Sequence, residues 1–520
     1  MGGERGLPPV WFMGAALMAA LLILWPFTQA LYLPLIDLPN HIARHSIMAD
    51  APDGPLATFY TTQFVLVPNS AVDLLWRILG YPGEATVFSH RVMAFAALNL
   101  AASGVVLARV IHGEWTGWSL ACGLLAFNVT FLYGFQNYTF SLPFAIYAFA
   151  LYIVAETWHL KWRLLAFMLI APVLFLMHFF AFAILGALAL GRELQKLLEQ
   201  RDNHALMAGL AMAIPFILPV AWLMIDILSG PENPAGSYTD MGTLKHRLDR
   251  VITPLYAYAN DLTQKLNMSG FLLLLGLYAI LATTLFKSPI QFAMAPKMRG
   301  PVLVLLALVF LSPDWLSGVA LIGLRFGFVF LIVAIAATRA PRLTPTGATV
   351  GVCLVLAAIG FRSSLVAEWF DSHDRQMRDL AVLLEKHVDA EDKLIPVRAP
   401  GAYSVMRLAH AQAYASTERG AFIPTLFQGV HAVQLRPEWR DYATPLMHAN
   451  PACALFDRAR HEVKSHSGEA YCLVERYVTG WAEKFDYVIS MEPQPPEIIS
   501  EAPIELVGSQ GTFELYRVVD

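Results

Sequence analysis

The chain of 520 residues is 57% hydrophobic and only 15% charged, with a net charge of −4 and a mean hydropathy of +0.52. Soluble chains carry about 25% charged residues, so a wholly water-soluble protein is excluded. No Lys/Arg tract is dense enough for a nucleic-acid partner.

Apolar runs recur between positions 11 and 361, and composition turns ordinary after Arg362. The expected division is therefore a helical membrane part, 1–362, and a soluble part, 363–520. The expected passes are 11–33, 86–108, 117–133, 139–155, a pair within 164–191, 205–229, 270–286, 301–311, 326–338 and 346–361, about eleven in all. The run 11–33 is too long for a signal-peptide core and lacks a small-residue cleavage site, so it reads as an uncleaved first span.

The first two spans are joined by a long loop, 34–85, that holds the densest polar cluster of the membrane part. Pro39 suits the first turn of a helix and Asp37 the capping region before it. On that helix His41, Arg44 and His45 lie three and four residues apart and share a face. Two readings fit. Asp37 accepts a proton from an incoming hydroxyl or binds a cation, or the segment is a capped interfacial helix whose charges meet lipid headgroups.

The turn after the third span reads Tyr133-Gly134-Phe135-Gln136-Asn137-Tyr138. Its amides can hydrogen-bond a sugar or a phosphate and are weaker metal ligands than carboxylates. Its aromatic residues equally suit an interfacial belt.

The stretch 164–191 is one apolar run of 28 residues with basic residues on both flanks: Lys161 and Arg163, then Arg192, Lys196 and Arg201. A single pass would separate the two clusters. Two helices meeting near Met177 and His178 keep them on one side, but helices of about 14 residues fall short of a ~30 Å hydrocarbon core, so a thinned or protein-lined region is expected. His178 is then either an outer apex or a packed helix residue.

Loop 230–269 carries Lys245, His246, Arg247 and Arg250 with Tyr238, Tyr256 and Tyr258, and reads as a gate or acceptor-side loop. In loop 312–325, Arg325 opens an apolar helix. Such an arginine snorkels, pairs, or binds an anion, and a guanidinium can give phosphate two parallel hydrogen bonds.

Beyond Arg362, an amphipathic helix is expected over 374–387 and strands over 393–397, 485–490 and 513–519, a mixed α/β domain. Cys122 and Cys353 fall in spans, whereas Cys453 and Cys472 fall in this domain and are free to form a disulfide in an oxidising compartment. Orientation follows from the basic residues. With a cytoplasmic N-terminus, the inner connections hold twelve Lys/Arg in 60 residues against seven in 111 for the outer ones, which places the soluble domain outside the cytoplasm.

A long first outer loop opening on an acidic residue, Asp37, with a histidine four positions on, His41, resembles the GT-C superfamily of membrane glycosyltransferases, which includes the aminoarabinose and protein O-mannosyltransferases. The resemblance covers essentially the whole chain. It implies a GT-C-like helical domain bearing an extracytoplasmic α/β domain in a bacterial inner membrane. The implied reaction is inverting transfer of a sugar from a polyprenyl-phosphate-linked donor to a lipid, glycan or protein acceptor. Carried over, Asp37 is the general base with His41 and Arg44 in the same cavity, and Arg325 meets the donor phosphate, with Arg44 a second candidate for it; by their own chemistry and place Tyr133, Gln136, Asn137 and His178 are the candidates to contact substrate. Relatives often place a second acidic residue near the turn where Gln136 and Asn137 stand here. That departure leaves a divalent cation open, and no organic cofactor is implied. The competing readings are a non-enzymatic assembly or export component of a cell-envelope glycan pathway, and a transporter. Transporters usually show internal repeats and polar residues at mid-membrane depth, and neither stands out here.

Overall fold

The computed structural model describes residues 9–50, 53–63, 67–229, 239–257, 263–286, 291–316, 319–341, 343–397, 408–426, 432–442, 481–491 and 503–519. Cys453, Cys472, Tyr238 and Tyr258 lie outside them. The helices, in chain order, begin with α1 (Pro9–Leu24), α2 (Leu38–Asp50), α3 (Ala71–Ile78), α4 (Ala85–His112), α5 (Val129–Leu132) and α6 (Gln136–Val154). They continue with α7 (Leu160–Met177), α8 (Phe179–Gln200), α9 (Asn203–Ser229), α10 (Leu244–Ile252) and α11 (Gln264–Ala282). The last are α12 (Arg299–Leu311), α13 (Leu324–Ala337), α14 (Pro345–His387) and α15 (Tyr414–Arg419). Among the described residues seven helices are long and apolar enough to cross a membrane, and the shorter apolar stretches Gly117–Leu132 and Leu324–Ala337 pack among them. This is an α-helical polytopic membrane protein.

Three expectations change. The first span is shorter than 11–33: α1 ends at Leu24, where Pro26 cannot donate a helical hydrogen bond and the chain tightens into the 3-10 turn Trp25–Thr28. Leu33 and Leu35 then bury against protein as loop residues. The third span, 117–133, is the 3-10 helix Gly117–Leu125 followed by the one-turn α5, which Asn128 starts by accepting the Thr130 and Phe131 amides. The helical hairpin breaks at His178, between α7 and α8, but its arms are 18 and 22 residues long. At 1.5 Å per residue they rise roughly 27 and 33 Å, so no thinned region is required.

The basic flanks of that hairpin meet at one end. Arg192 grips Glu156 with both nitrogens at 2.8 and 3.0 Å, and Lys196 bridges Glu156 and Glu193 at 2.9 and 2.8 Å. Arg163 and the Tyr152 hydroxyl close on Glu193 at 3.1 and 2.7 Å. Beside this network α8 and α12 touch backbone to backbone. A Cβ on Gly191 would stand 2.7 Å from the Gly300 carbonyl oxygen, and one on Gly300 2.1 Å from the Gly191 oxygen. Gly191→Val therefore has nowhere to place its side chain without parting two helices. We expect it to lower the detergent melting temperature markedly, since overpacking costs about 1–3 kcal/mol or more; an unchanged melt would show that the helices can separate freely here.

The C-terminal sheet region is continuous with the membrane part. The helix expected over 374–387 is the last third of α14, which runs unbroken for 43 residues, roughly 64 Å. The division at 362/363 thus falls inside one helix. There Arg362 is buried and donates to the carbonyls of Leu255 and Leu266 and to Ser269 Oγ, which anchors α11 and the preceding loop to α14. The end of α14 packs on a four-stranded sheet made from β2 (Leu394–Val397), β4 (Tyr487–Ser490), β5 (Ile504–Gln510) and β6 (Phe513–Val518), in the order β5-β6-β4-β2. All its neighbours are antiparallel except β2 and β4. Two short strands, β1 (Tyr60–Thr62) from the first loop and β3 (Val433–Leu435) from the soluble region, pair antiparallel. The loop after α1 and the C-terminal region are consequently one structure. Tyr60 donates its hydroxyl to the Ile423 carbonyl at 2.7 Å, and Phe59 stacks on Phe422 at 4.5 Å.

Candidate active site

Asp37 sits at the entrance to α2, where its carbonyl accepts the His41 amide at 3.3 Å. Its own amide donates to the Tyr133 carbonyl at 2.9 Å, which joins the loop after α1 to the turn after α5. Gly134 permits this approach: its φ is +77°, and a Cβ there would lie 3.0 Å from the Asp37 nitrogen. The α2 helix is not an interfacial helix facing headgroups. Asp37, His41, Arg44 and His45 are 8%, 7%, 5% and 0% exposed.

That burial decides the electrostatics. Desolvation raises the Asp37 pKa to about 7, and the charge of Arg325 pulls the other way. Arg325, at the head of α13, lies under three aromatic rings: its guanidinium carbon is 4.3 Å from the centre of Phe180, 4.7 Å from Phe135 and 5.5 Å from Tyr138. Ring faces attract a cation, so the cage helps hold a buried guanidinium that bulk water does not reach. Tyr138 also donates its hydroxyl to the Arg325 carbonyl at 3.0 Å. His178 packs its ring against Tyr138 at 5.1 Å, while its Nδ1 accepts the Phe180 amide at 3.0 Å and so starts α8. Asp37, Arg325, His178 and Tyr133 are thus gathered in one buried region where the hairpin breaks.

Other residues singled out from the sequence take different places. Asn137 spends its amide on the loop before α3, accepting the Val72 amide at 2.7 Å and donating to the Asn69 carbonyl at 2.8 Å. Gln136 is fully buried, and neither amide atom has a hydrogen-bond partner among the described residues. Leaving a buried amide unsatisfied costs about 1–3 kcal/mol, which sets Gln136 apart from Asn137 beside it. Arg44 meets Asp73 at 3.0 Å and His41 Nδ1 at 2.9 Å. Asp73 also accepts from His45 Nε2 at 3.0 Å, and His45 Nδ1 reaches Ser89 at 3.2 Å. Burial alone would raise the Asp73 pKa; Arg44 and His45 outweigh it and hold the carboxylate well below its usual range. The charge of Arg44 is thereby balanced inside the protein. No cluster of three or more His, Cys, Asp or Glu with metal-holding geometry occurs among the described residues. A lone carboxylate beside a guanidinium is a poor donor set for a divalent cation.

Two partners of the site were not singled out from the sequence. Asp73 lies 29 residues from Arg44, and nothing in local spacing links them. His410, from the C-terminal region, brings Nε2 to 3.7 Å from Asp37 Oδ1.

A cavity of about 570 Å³ opens beside this region between α8 and α9. Its walls are apolar (Phe179, Phe182, Met212, Phe216, Val220), it begins one residue from Phe180, and it runs to Tyr152 and Glu193 at the other end of α8.

No protein-family model matches the sequence, and no curated protein matches it. The structure, however, is similar to a crystal structure of ArnT from Cupriavidus metallidurans bound to undecaprenyl phosphate, with a TM-score of 0.52 and 12% identity over 98% of both chains. The apo form of the same ArnT gives a TM-score of 0.50 and 12% identity over 98% of this chain and 97% of that one. The chain has the GT-C fold. The arabinofuranosyltransferase AftD from mycobacteria is also similar, with a TM-score of 0.48 and 15% identity over 99% of this chain and 40% of AftD. Within the GT-C fold the buried region around Asp37 lies where the loop after α1, the helical hairpin and the C-terminal region meet.

Proposed function

We propose that this GT-C chain is a glycosyltransferase of the membrane's outer face, which takes a sugar from a polyprenyl-phosphate-linked donor. The observation that carries the reading is the pairing of a base with a caged cation. Asp37 has a pKa near 7, and Arg325 is near enough for its charge to act on it. A general base works best when its pKa lies near the working pH. Arg325 would bind the donor phosphate through paired hydrogen bonds and stabilise it as it leaves. The acceptor hydroxyl would attack the anomeric carbon, the bond from that carbon to the phosphate oxygen would break, and Asp37 would take the hydroxyl proton. Attack opposite the leaving phosphate inverts the anomeric centre. The apolar cavity beside Phe180 would take the isoprenoid chain, each buried methylene contributing about 0.8 kcal/mol. The orphaned Gln136 amide is suited to a sugar hydroxyl or a phosphate oxygen.

The test uses purified protein in lipid, with undecaprenyl phosphate as the probe. Native mass spectrometry should show a bound lipid phosphate. Ala183→Trp with Ala213→Trp, which fills the cavity, should remove that adduct. If the unaltered protein binds no polyprenyl phosphate and consumes none of a panel of polyprenyl-phosphate sugars, the assembly-component reading replaces this one.

A further inference from the structure

We propose that His410 completes the membrane site, as a positioning residue that holds the carboxylate of Asp37 for proton transfer. The inference rests on the transferase reading above and adds to it a part for the C-terminal region.

The two side chains come from opposite ends of the sequence, yet both are buried, at 5% and 8% exposure. Their meeting is fixed by several independent ties. The turn Ala411–Ala413, held by the Ala413 amide on the His410 carbonyl at 2.9 Å, packs against α2. The loop leading into Asp37 is fastened to α15, since Tyr32 donates to Glu418 at 3.2 Å and meets the edge of Tyr414 at 5.0 Å. The same loop is fastened to α14, where Asp374 Oδ1 accepts the Leu31 and Tyr32 amides at 2.7 and 2.9 Å. The β1–β3 pair and the Tyr60 bond to Ile423 hold the rest of the first outer loop. An accidental neighbour would not need a contact held from so many sides.

At 3.7 Å the two groups are close but too far apart for a hydrogen bond. Catalytic hydrogen bonds often tighten only when substrate binds. With the proton on Nε2, the imidazole would donate to Oδ1 and leave Oδ2 to receive the proton of the acceptor hydroxyl. The titratable and charged groups around Asp37 are then Arg325 from α13, whose charge acts on it, His410 from the C-terminal region, and, one turn along α2, His41 with Arg44. A donor to a carboxylate stabilises its ionised form, so His410 would keep Asp37 basic at a lower pH than burial alone allows.

The experiment compares His410→Ala and His410→Gln in the full chain, measuring kcat, KM, donor binding, melting temperature and the pH profile of transfer. Alanine removes the donor; glutamine returns an N–H in its place. We expect His410→Ala to lower kcat by roughly 10- to 100-fold, to leave donor binding and melting unchanged, and to move the pH midpoint upward. His410→Gln should restore most of the rate and the midpoint. A kcat and midpoint unmoved by alanine overturn the proposal. So does a loss that falls equally on donor binding and melting and is not rescued by glutamine, which is the mark of a merely structural role. Should the unaltered chain transfer no sugar from any polyprenyl-phosphate donor, the transferase reading itself fails, an outcome separate from failure at His410 alone.

Discussion

Asp37→Asn should lower transfer by 10²-fold or more, in keeping with what a positioned base contributes, while the protein folds and binds lipid phosphate as before. The amide keeps the shape of the carboxylate and loses its basicity. The fold itself does not need the charge. The carboxyl pKa rises from 3.8 to about 7 through burial. A group whose pKa is higher folded than unfolded destabilises the fold as pH rises across that interval, so the neutral amide should melt no lower than Asp37 at pH 8. Transfer measured beside melting and lipid binding separates the roles. A variant that transfers normally would mean that Asp37 serves only as the entry to α2.

Replacing Arg325 should fail in another way. Loss of its paired contacts should weaken donor binding by roughly 10- to 100-fold. It should also change the pH dependence. Transfer by the unaltered protein should rise with pH, with a midpoint near 7, because Asp37 must be ionised to act. Arg325 holds that pKa down, so Arg325→Gln should shift the midpoint to higher pH, by roughly one unit. Arg325→Lys keeps the charge and loses the fork. Its midpoint should stay in place while donor binding still weakens. A midpoint shared by all three proteins would show that the guanidinium does not act on the base.

How much of this could be read from the sequence follows the range of each interaction. The hairpin break at His178 was legible because basic residues on both flanks forced it. The lengths of the arms were not, since α7 and α8 continue through the charged residues that ended the apolar run, and those charges pair among themselves as Arg192–Glu156 and Arg163–Glu193. Asp37 and Arg325 stood out as charges beside apolar segments. Their caging could not be seen, because Phe135, in the turn before α6, and Phe180, in α8, lie far apart in the sequence. The pairing of Arg44 with Asp73, in α3, spans 29 positions, and local spacing does not reveal it. His410 lies 373 positions beyond Asp37, and only the folded chain shows the two together. The composition change at Arg362 was real, but helical geometry ignores composition, and α14 passes straight through it.

That uninterrupted helix imposes a phase. Every residue along α14 turns the chain by 100° and advances it 1.5 Å. Arg362 is locked to the membrane helices and Asp374 to the loop that carries Asp37. The segment between them therefore behaves as an indexed shaft, coupled at both ends. One residue gained or lost there would swing the whole C-terminal region by more than a quarter turn against the bundle and carry His410 off the carboxylate. Over these twelve positions length is as strictly specified as any side chain, and relatives that keep this architecture are expected to vary in residue identity here but not in spacing.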